Sequence, residues 1–298
     1  MKDEGSLEIF SIELRTAIDA VKKAASEIKN KRISGSEKAN AGGINDFVTI
    51  WDTIGQKIIT SEIKTKFPTD TIIGEESESY PAECVHDERL WVIDPIDGTA
   101  NARAGRKYSF ISLGFVQNGQ SVAGVVYDPY HGELFYAESG KGAFLNGQPI
   151  HVGKVVDGRQ SSINTDMGFI NEVSDLHQDI LKLYGSPSRR MMGSSIGEMI
   201  EVACGKADIF FYTCIKPWDN AAVFCILTEA GAMIRGVDGR AINFTSMDLV
   251  AGNPILVADF VERVGAKFAQ KVGIVQRKFL SKNPKLVNIV TGLHVRKW

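Results

Sequence analysis

Apolar side chains first return every three or four positions. Phe10, Leu14, Ala17, Val21 and Ile28 fall near one face, which predicts a helix over about residues 6–30. The stretch KRISGSEKANAGGIN, residues 31–45, breaks that rhythm and predicts a polar, glycine-containing loop. Ile50, Ile54, Ile58 and Phe67 mark a second helix over about 49–67, which Pro68 stops. The period then shortens. LWVID is an apolar run of strand length, and Pro95 is expected to halt its ladder. FISLGFV, SVAGVVYD and ELFYAE read as strands separated by Asn118-Gly119 and His131-Gly132, with a further turn at Asn146-Gly147. Asn-Gly pairs accept the left-handed backbone that hairpin turns need. The first half should therefore be helices on a largely antiparallel sheet.

After about residue 152, strand and helix patterns alternate. INTDM, SRRMM, ADIFFY, AMIR and ILVA are strand candidates; DLHQDILKLY, SIGEMIEVACG and NAAVFCILTEAG are helix candidates. The pattern implies a layered α/β architecture with a sub-domain boundary near residues 151–158, dividing 1–152 from 153–298.

Composition narrows the classes. Of 298 residues, 44% are hydrophobic and 23% charged, as in an ordinary globular chain. A net charge of -2 supplies no global field for nucleic acid or an anionic membrane. Cys84, Cys204, Cys214 and Cys225 show neither a CxxC pair nor zinc spacing. The opening MKDEGSLEIF lacks an apolar signal core, and no run of about 18 apolar residues suggests a membrane span. A cytoplasmic location is the expectation. The segment from about 261 onward is basic, with nine Lys/Arg and one acidic residue.

Candidate chemistry centres on WVIDPIDGTAN, residues 91–101. A strand would carry Asp94 to a sheet end, and Asp97 would follow one turn later. Carboxylates about 4 Å apart repel by roughly 4 kcal/mol at an effective dielectric of about 20. A hard divalent cation relieves that repulsion, and oxygen ligands favour magnesium or manganese over zinc. Asp-Pro and Asp-Gly are also ordinary turn dipeptides. Three more segments carry acids: Gly74-Glu75-Glu76-Ser77 after Ile72-Ile73, Lys216-Pro217-Trp218-Asp219 before an apolar helix, and Asp46 to Asp52 at the start of the second helix. Each has a local alternative: an acidic turn, a helix cap, and a capping box of Thr49 with Asp52.

In this order, D-x-V-T-x-x-D (46–52), G-E-E-S (74–77), W-V-I-D-P-I-D-G-T (91–99) and W-D-x-A-A (218–222) closely resemble the inositol monophosphatase family, within the lithium-sensitive, magnesium-dependent phosphatases. G-S-S followed by V-A-C-G-K-A-D fits the family's late substrate-side helix, and the resemblance covers about residues 7–260. It implies an αβαβα sandwich of the inositol monophosphatase / fructose-1,6-bisphosphatase type. It also implies hydrolysis of a small-molecule phosphate monoester, by metal-activated water, with two to three Mg2+ (Mn2+ as a substitute). By matched motif, Glu75, Asp94 and the Ile96 carbonyl would hold one ion, and Asp94, Asp97 and Asp219 a second. A third, weaker ion would use Glu75 and water. Asp52 and Thr99 would orient and deprotonate the attacking water, with Glu75 counted beside them and Glu76 behind it. Gly98, Thr99, Gly193, Ser194, Ser195 and Tyr212 would face the substrate. The family is usually dimeric. Fructose-1,6-bisphosphatase and 3′-phosphoadenosine-5′-phosphate phosphatase share the implied metal site, and a non-catalytic binding protein on this scaffold is the alternative of another class.

The chain departs from the family at four places. Asp97-Gly98-Thr99 continues as Ala100-Asn101-Ala102, where Thr-Asn-Phe is usual, and Arg103, Arg106 and Lys107 follow. Seven residues before Asp219, where inositol phosphatases carry a glutamate, stands Tyr212. The 31–45 loop looks longer than usual, with Lys38 as a loose counterpart of a family lysine and a lid as the expected role. The basic C-terminal segment has no assigned part; packing on the domain, a dimer interface and an acidic partner are all open.

Overall fold

The structure, a computed structural model, describes residues 8–29, 35–37, 47–78, 80, 84–166 and 171–290. Lys38, Asp46, most of the 31–45 loop and the last eight residues of the basic segment lie outside it.

Helix α1 (Ile12–Lys29) buries Leu14, Ala17, Val21 and Ile28, the stripe its sequence predicts. Strands β1 (Gly35–Glu37) and β2 (Phe47–Thr49) pair antiparallel and lead into α2 (Ile50–Lys66). The Thr49 hydroxyl accepts from the Trp51 N–H, and the Asp52 carboxylate accepts from the Thr49 N–H at 2.7 Å, so the capping box forms.

Strands β3 (Thr71–Gly74) and β4 (Arg89–Asp97), short helix α3 (Thr99–Arg103), and strands β5 (Phe110–Gln117), β6 (Gln120–Asp128), β7 (Glu133–Glu138), β8 (Ala143–Leu145) and β9 (Gln148–Pro149) follow. The strands form one seven-stranded sheet in chain order; β3 runs parallel to β4 and every later pair is antiparallel. Pro95 does not halt β4. The ladder to β5 skips from Asp94–Ser112 to Asp97–Phe110, so the proline sits in a bulge and pairing resumes beyond it.

The second half alternates β10 (Ser162–Asn164), α4 (Asn171–Tyr184), β11 (Ser188–Arg190), α5 (Ser195–Ala203), β12 (Ile209–Tyr212), α6 (Pro217–Glu229), β13 (Met233–Arg235) and β14 (Leu249–Gly252). Its five strands run in the order β11-β10-β12-β14-β13. The stretch ILVA is helical, not a strand: Asn253 caps α7 (Pro254–Phe260), Pro254 takes its first turn, and the strand is the Leu249–Gly252 run just before. A π-helical turn (Val261–Gly265) joins α7 to α8 (Ala266–Lys282).

The layers are α1 and α2, the seven-stranded sheet, α5 and α6, the five-stranded sheet, then α4, α7 and α8. This is the expected αβαβα sandwich. Helix α6 lies hard against β5 and β6 because Gly114 and Gly124 have no side chain. A Cβ on Gly124 would stand 2.2 Å from the Ala222 carbonyl oxygen, and one on Gly114 2.7 Å from the Ala221 carbonyl carbon. The basic segment packs on the domain. Phe268, Val272, Val275 and Leu280 of α8 are buried, while Lys271 and Lys278 pair with Asp179 and Glu172 of α4. Among the described residues, no helix is long and apolar enough to cross a membrane.

Candidate functional site

Strand β4 delivers two acids to one point. The bulge at Pro95 turns the backbone so that the Ile96 N–H donates to Asp94 Oδ1 at 3.1 Å, and Asp97 re-enters the ladder. The third acid comes from a different layer. Asp219 occupies the first turn of α6, where its Oδ2 accepts from the Lys216 N–H at 3.1 Å. Asp94, Asp97 and Asp219 each present an oxygen, and these oxygens all lie within 4.8 Å of one another. Glu75, just past β3, lines the same pocket and donates its N–H to the Ile93 carbonyl at 3.1 Å.

Crowding and burial both act on these acids. Burial, reinforced by Glu75, Asp97 and Asp219, drives the Asp94 carboxyl well above the ordinary range. Asp219 is pushed up to about 8 by burial, against the pull of Lys216. Asp97 rises to about 6 through burial, although two donors oppose the rise: the Ser194 hydroxyl and the Ile196 N–H, the latter at 2.9 Å from Oδ2. Carboxylates forced together in a buried cleft make a site that a hard divalent cation completes. The donor set fits magnesium: the acids offer only oxygen, and Ile96, whose carbonyl accepts from the Thr99 hydroxyl, is in the same lining.

Lys216 supplies positive charge to this cluster. Its Nζ lies 2.9 Å from Glu75 Oε1, across 141 positions of sequence. The motif Lys-Pro-Trp-Asp contains it, but spacing alone marks only Asp219. Asp166, beyond β10, also lines the pocket, as do Ala100, Cys214 and Phe279 of α8. Nothing local marks Phe279, because it continues the apolar stripe of an amphipathic helix.

Asp52 sits beside the cluster, fully buried. Its carboxylate accepts from the Thr49 N–H, the Thr49 hydroxyl and, at 3.2 Å, the Thr99 hydroxyl, which also lies 2.9 Å from the Ile96 carbonyl. Burial lifts Asp52 to about 7, over the opposing Thr49 hydroxyl, with Glu75 and Glu76 adding to the rise. Cap and site residue are therefore the same side chain. The Glu76 N–H is fixed at 3.0 Å on Gln56 Oε1.

The substrate-facing candidates divide. Gly98, Thr99, Gly193, Ser195 and Tyr212 line the pocket. Gly98 has φ +80, and a Cβ there would meet the Tyr108 carbonyl oxygen at 3.0 Å, so only glycine is comfortable. Ser194 instead faces Asp97: it caps α5 by accepting from the Gly197 N–H at 3.1 Å and donates to Asp97 Oδ2. The departure at 100–102 is also structural. Asn101 Nδ2 reaches the Met192 carbonyl at 2.7 Å, tying α3 to the loop before α5, and Ala102 is buried in the core between α1, α2 and the seven-stranded sheet. Arg103, Arg106 and Lys107 are exposed and outside the lining. A second cavity of about 240 Å³ beside Lys182 and Arg189 has no acid in its lining among the described residues.

Below Gly193 lies another buried acid that the sequence reading missed. Glu198 Oε1 accepts from the N–H groups of Met192 at 2.5 Å and Gly193 at 3.2 Å, and burial pushes its carboxyl up to about 9.

Residues 8–272 match the Inositol monophosphatase family. The chain is 34% identical over 268 residues to inositol monophosphatase 1 of Solanum lycopersicum, covering 88% of this chain and 97% of that relative. It is 34% identical over 245 residues to the fructose-1,6-bisphosphatase/inositol-1-monophosphatase of Thermotoga maritima, covering 79% and 91%. Among solved structures, the extragenic suppressor protein suhB from Bartonella henselae superposes with a TM-score of 0.77 at 27% identity, covering 85% of this chain and 98% of that one.

Proposed function

The chain belongs to the inositol monophosphatase family, and from that premise we propose a magnesium-dependent phosphatase that releases phosphate from a small sugar or polyol monoester, inositol monophosphate being the first substrate to try. One observation carries the metal dependence: three carboxylates from two layers of the fold present oxygens within 4.8 Å of one another in a buried cleft. Asp94, Asp97 and Asp219, with Glu75 and the Ile96 carbonyl, would hold two to three ions. When bound, the ions neutralise phosphate charge and acidify a water.

The protein's own residues do the rest. Thr99 and Asp52 would form the proton path: the attacking water gives a proton to the Thr99 hydroxyl oxygen as that hydroxyl's own proton passes to Asp52, whose carboxyl, raised to about 7 by burial, can take it and later return it to the leaving alcohol. The backbone at Gly98 and Thr99 lets a phosphate approach closely, because position 98 has no side chain. Gly193 and Ser195 border the phosphate side, and Ser194 steadies Asp97. Lys216 balances Glu75 and offers its ammonium to the substrate's anionic oxygens. We further assign the 1–152 half to most of the ligands and the 153–298 half to Asp219 and the alcohol side. A cytoplasmic homodimer sensitive to lithium is the expected form.

A sugar bisphosphate is the second reading, favoured by the Thermotoga maritima relative whose name carries both activities. The test is phosphate release from inositol 1-phosphate and fructose 1,6-bisphosphate in magnesium, in chelator, and in magnesium with lithium. Release in magnesium that chelator abolishes is the expected result. Turnover indifferent to chelator would refute the metal assignment.

A further inference from the structure

Among the described residues five acids line the pocket, and the proposed ions use four of them: Glu75, Asp94, Asp97 and Asp219. The fifth, Asp166, lies just past β10 and is not among the acids whose oxygens converge. Strand β10 runs parallel to both of its neighbours, β11 and β12. Asp166, Gly193 and Tyr212 therefore enter the pocket at or just past the carboxyl ends of three parallel strands, the edge at which open α/β sheets hold ligands.

The main chain at Asp166 is locked from behind. The Thr165 N–H donates to the Arg190 carbonyl at 3.1 Å, and the Thr165 hydroxyl to the Phe211 carbonyl at 2.8 Å. His177, fully buried on α4, lies 2.6 Å through Nδ1 from the Asp166 carbonyl and 2.8 Å through Nε2 from the Thr213 hydroxyl. A carbonyl only accepts, so Nδ1 carries the proton and Nε2 accepts from Thr213. Burial lowers His177 to about 4, so the ring stays neutral and in that tautomer at neutral pH. The Asp166 carbonyl thus faces the core, while the charge of its side chain falls among groups of the five-stranded side. Burial raises the ionisation of Tyr212, Glu198 and Asp97, and the Asp166 carboxylate adds to each rise.

We infer that Asp166 is a specificity residue of this pocket: its carboxylate accepts hydrogen bonds from hydroxyl groups on the substrate's alcohol, so that the chain selects monoesters of polyhydroxy alcohols over those of plain alcohols with the same skeleton. This deepens the phosphatase reading and rests on it. An ionised carboxylate has only acceptor sites, and a hydroxyl is the donor that such an alcohol brings. An alcohol without hydroxyls strips water from Asp166 and returns no partner, which is how a polar site rejects an analogue. His177 is then a positioning residue, since it holds the backbone that carries the carboxylate.

Inositol 1-phosphate and cyclohexyl phosphate test this cleanly. They share a six-membered carbon ring and a secondary ester, and differ only in the ring hydroxyls. Wild type should show a kcat/KM at least about tenfold higher on inositol 1-phosphate. Asp166→Ala should lower that ratio roughly tenfold, mostly through the KM of inositol 1-phosphate. Asp166→Asn keeps the shape and loses the charge, so its ratio should fall between the two; it also repeats the measurement should the alanine variant fail to fold. Both variants should still bind magnesium by calorimetry. A ratio unchanged in a folded variant, magnesium binding lost in it, or a wild type that does not favour inositol 1-phosphate overturns the role of Asp166 and leaves the phosphatase standing. Release from neither compound nor from fructose 1,6-bisphosphate overturns both.

Discussion

Strand β4 of the seven-stranded sheet brings Asp94 and Asp97 to the pocket on a single bulged backbone, whereas the five-stranded side brings Tyr212 from a strand and Phe279 from the outer helix α8. The acids have little freedom: Asp94, Asp97 and Asp219 each accept at least one main-chain N–H. Tyr212 and Phe279 are held by side-chain packing. Groups fixed by backbone can stabilise charge without reorganising during reaction. Groups fixed by packing can be exchanged for others of similar volume at modest cost. Fixed charge on one side and exchangeable packing on the other is the division that this difference suggests.

The sharpest way to break the comparison is Asp94→Asn. It keeps the oxygen that the Ile96 N–H needs and removes the charge that burial and three neighbouring acids oppose. Phosphate release should fall on the order of 10³-fold, and the metal-free protein should melt at a higher temperature than wild type. Near-normal turnover would detach Asp94 from catalysis.

Next in size is Gly124→Ala, at the junction of the two sides. Its new methyl group would meet the Ala222 carbonyl oxygen, so α6 must shift and carry Asp219 with it. A loss of about 1–3 kcal/mol by urea unfolding and weaker magnesium binding by calorimetry are expected. Phe279→Ala should leave magnesium affinity unchanged, so equal losses in both variants would dissolve the distinction between the sides.

The smallest effect concerns pH. Glu198 ionises near its ordinary 4.5 in the unfolded chain but only at about 9 when folded, because burial disfavours the charge. Between those values the folded state holds a proton that the unfolded state releases. Stability therefore falls as pH rises through that window, by at most about 1.4 kcal/mol per pH unit. Glu198→Gln cannot titrate, so its unfolding free energy should change less than that of wild type between pH 5 and pH 8. Identical slopes would show that Glu198 is ionised in the folded protein.

Much of the acidic side was legible beforehand, because its residues lie in short continuous motifs whose turn and capping chemistry is local. Thr49 with Asp52, and Asp94 with Asp97, needed no long-range contact to be noticed. The far side was not legible in the same way. Lys216 meets Glu75 only after the two sheets are stacked. Phe279 obeys the apolar period of its helix, and that period cannot say which of two neighbours, core or pocket, a ring will touch. The resemblance of G-S-S to the family's substrate-side helix marks Ser194 as a substrate contact, and the fold turns its hydroxyl onto Asp97. The misread ILVA stretch carried a usable signal in Asn253-Pro254, a cap and a first-turn proline, which apolar content concealed.

Two absent methyl groups have a consequence for how such a chain can change. With Gly114 and Gly124 bare beneath α6, the height of the third acid above the sheet is gauged by main-chain thickness alone. The breadth of the cleft is thus insulated from drift in the residues around it. The rest of the lining can be rewritten for new alcohols, while the span available to a phosphoryl group stays constant.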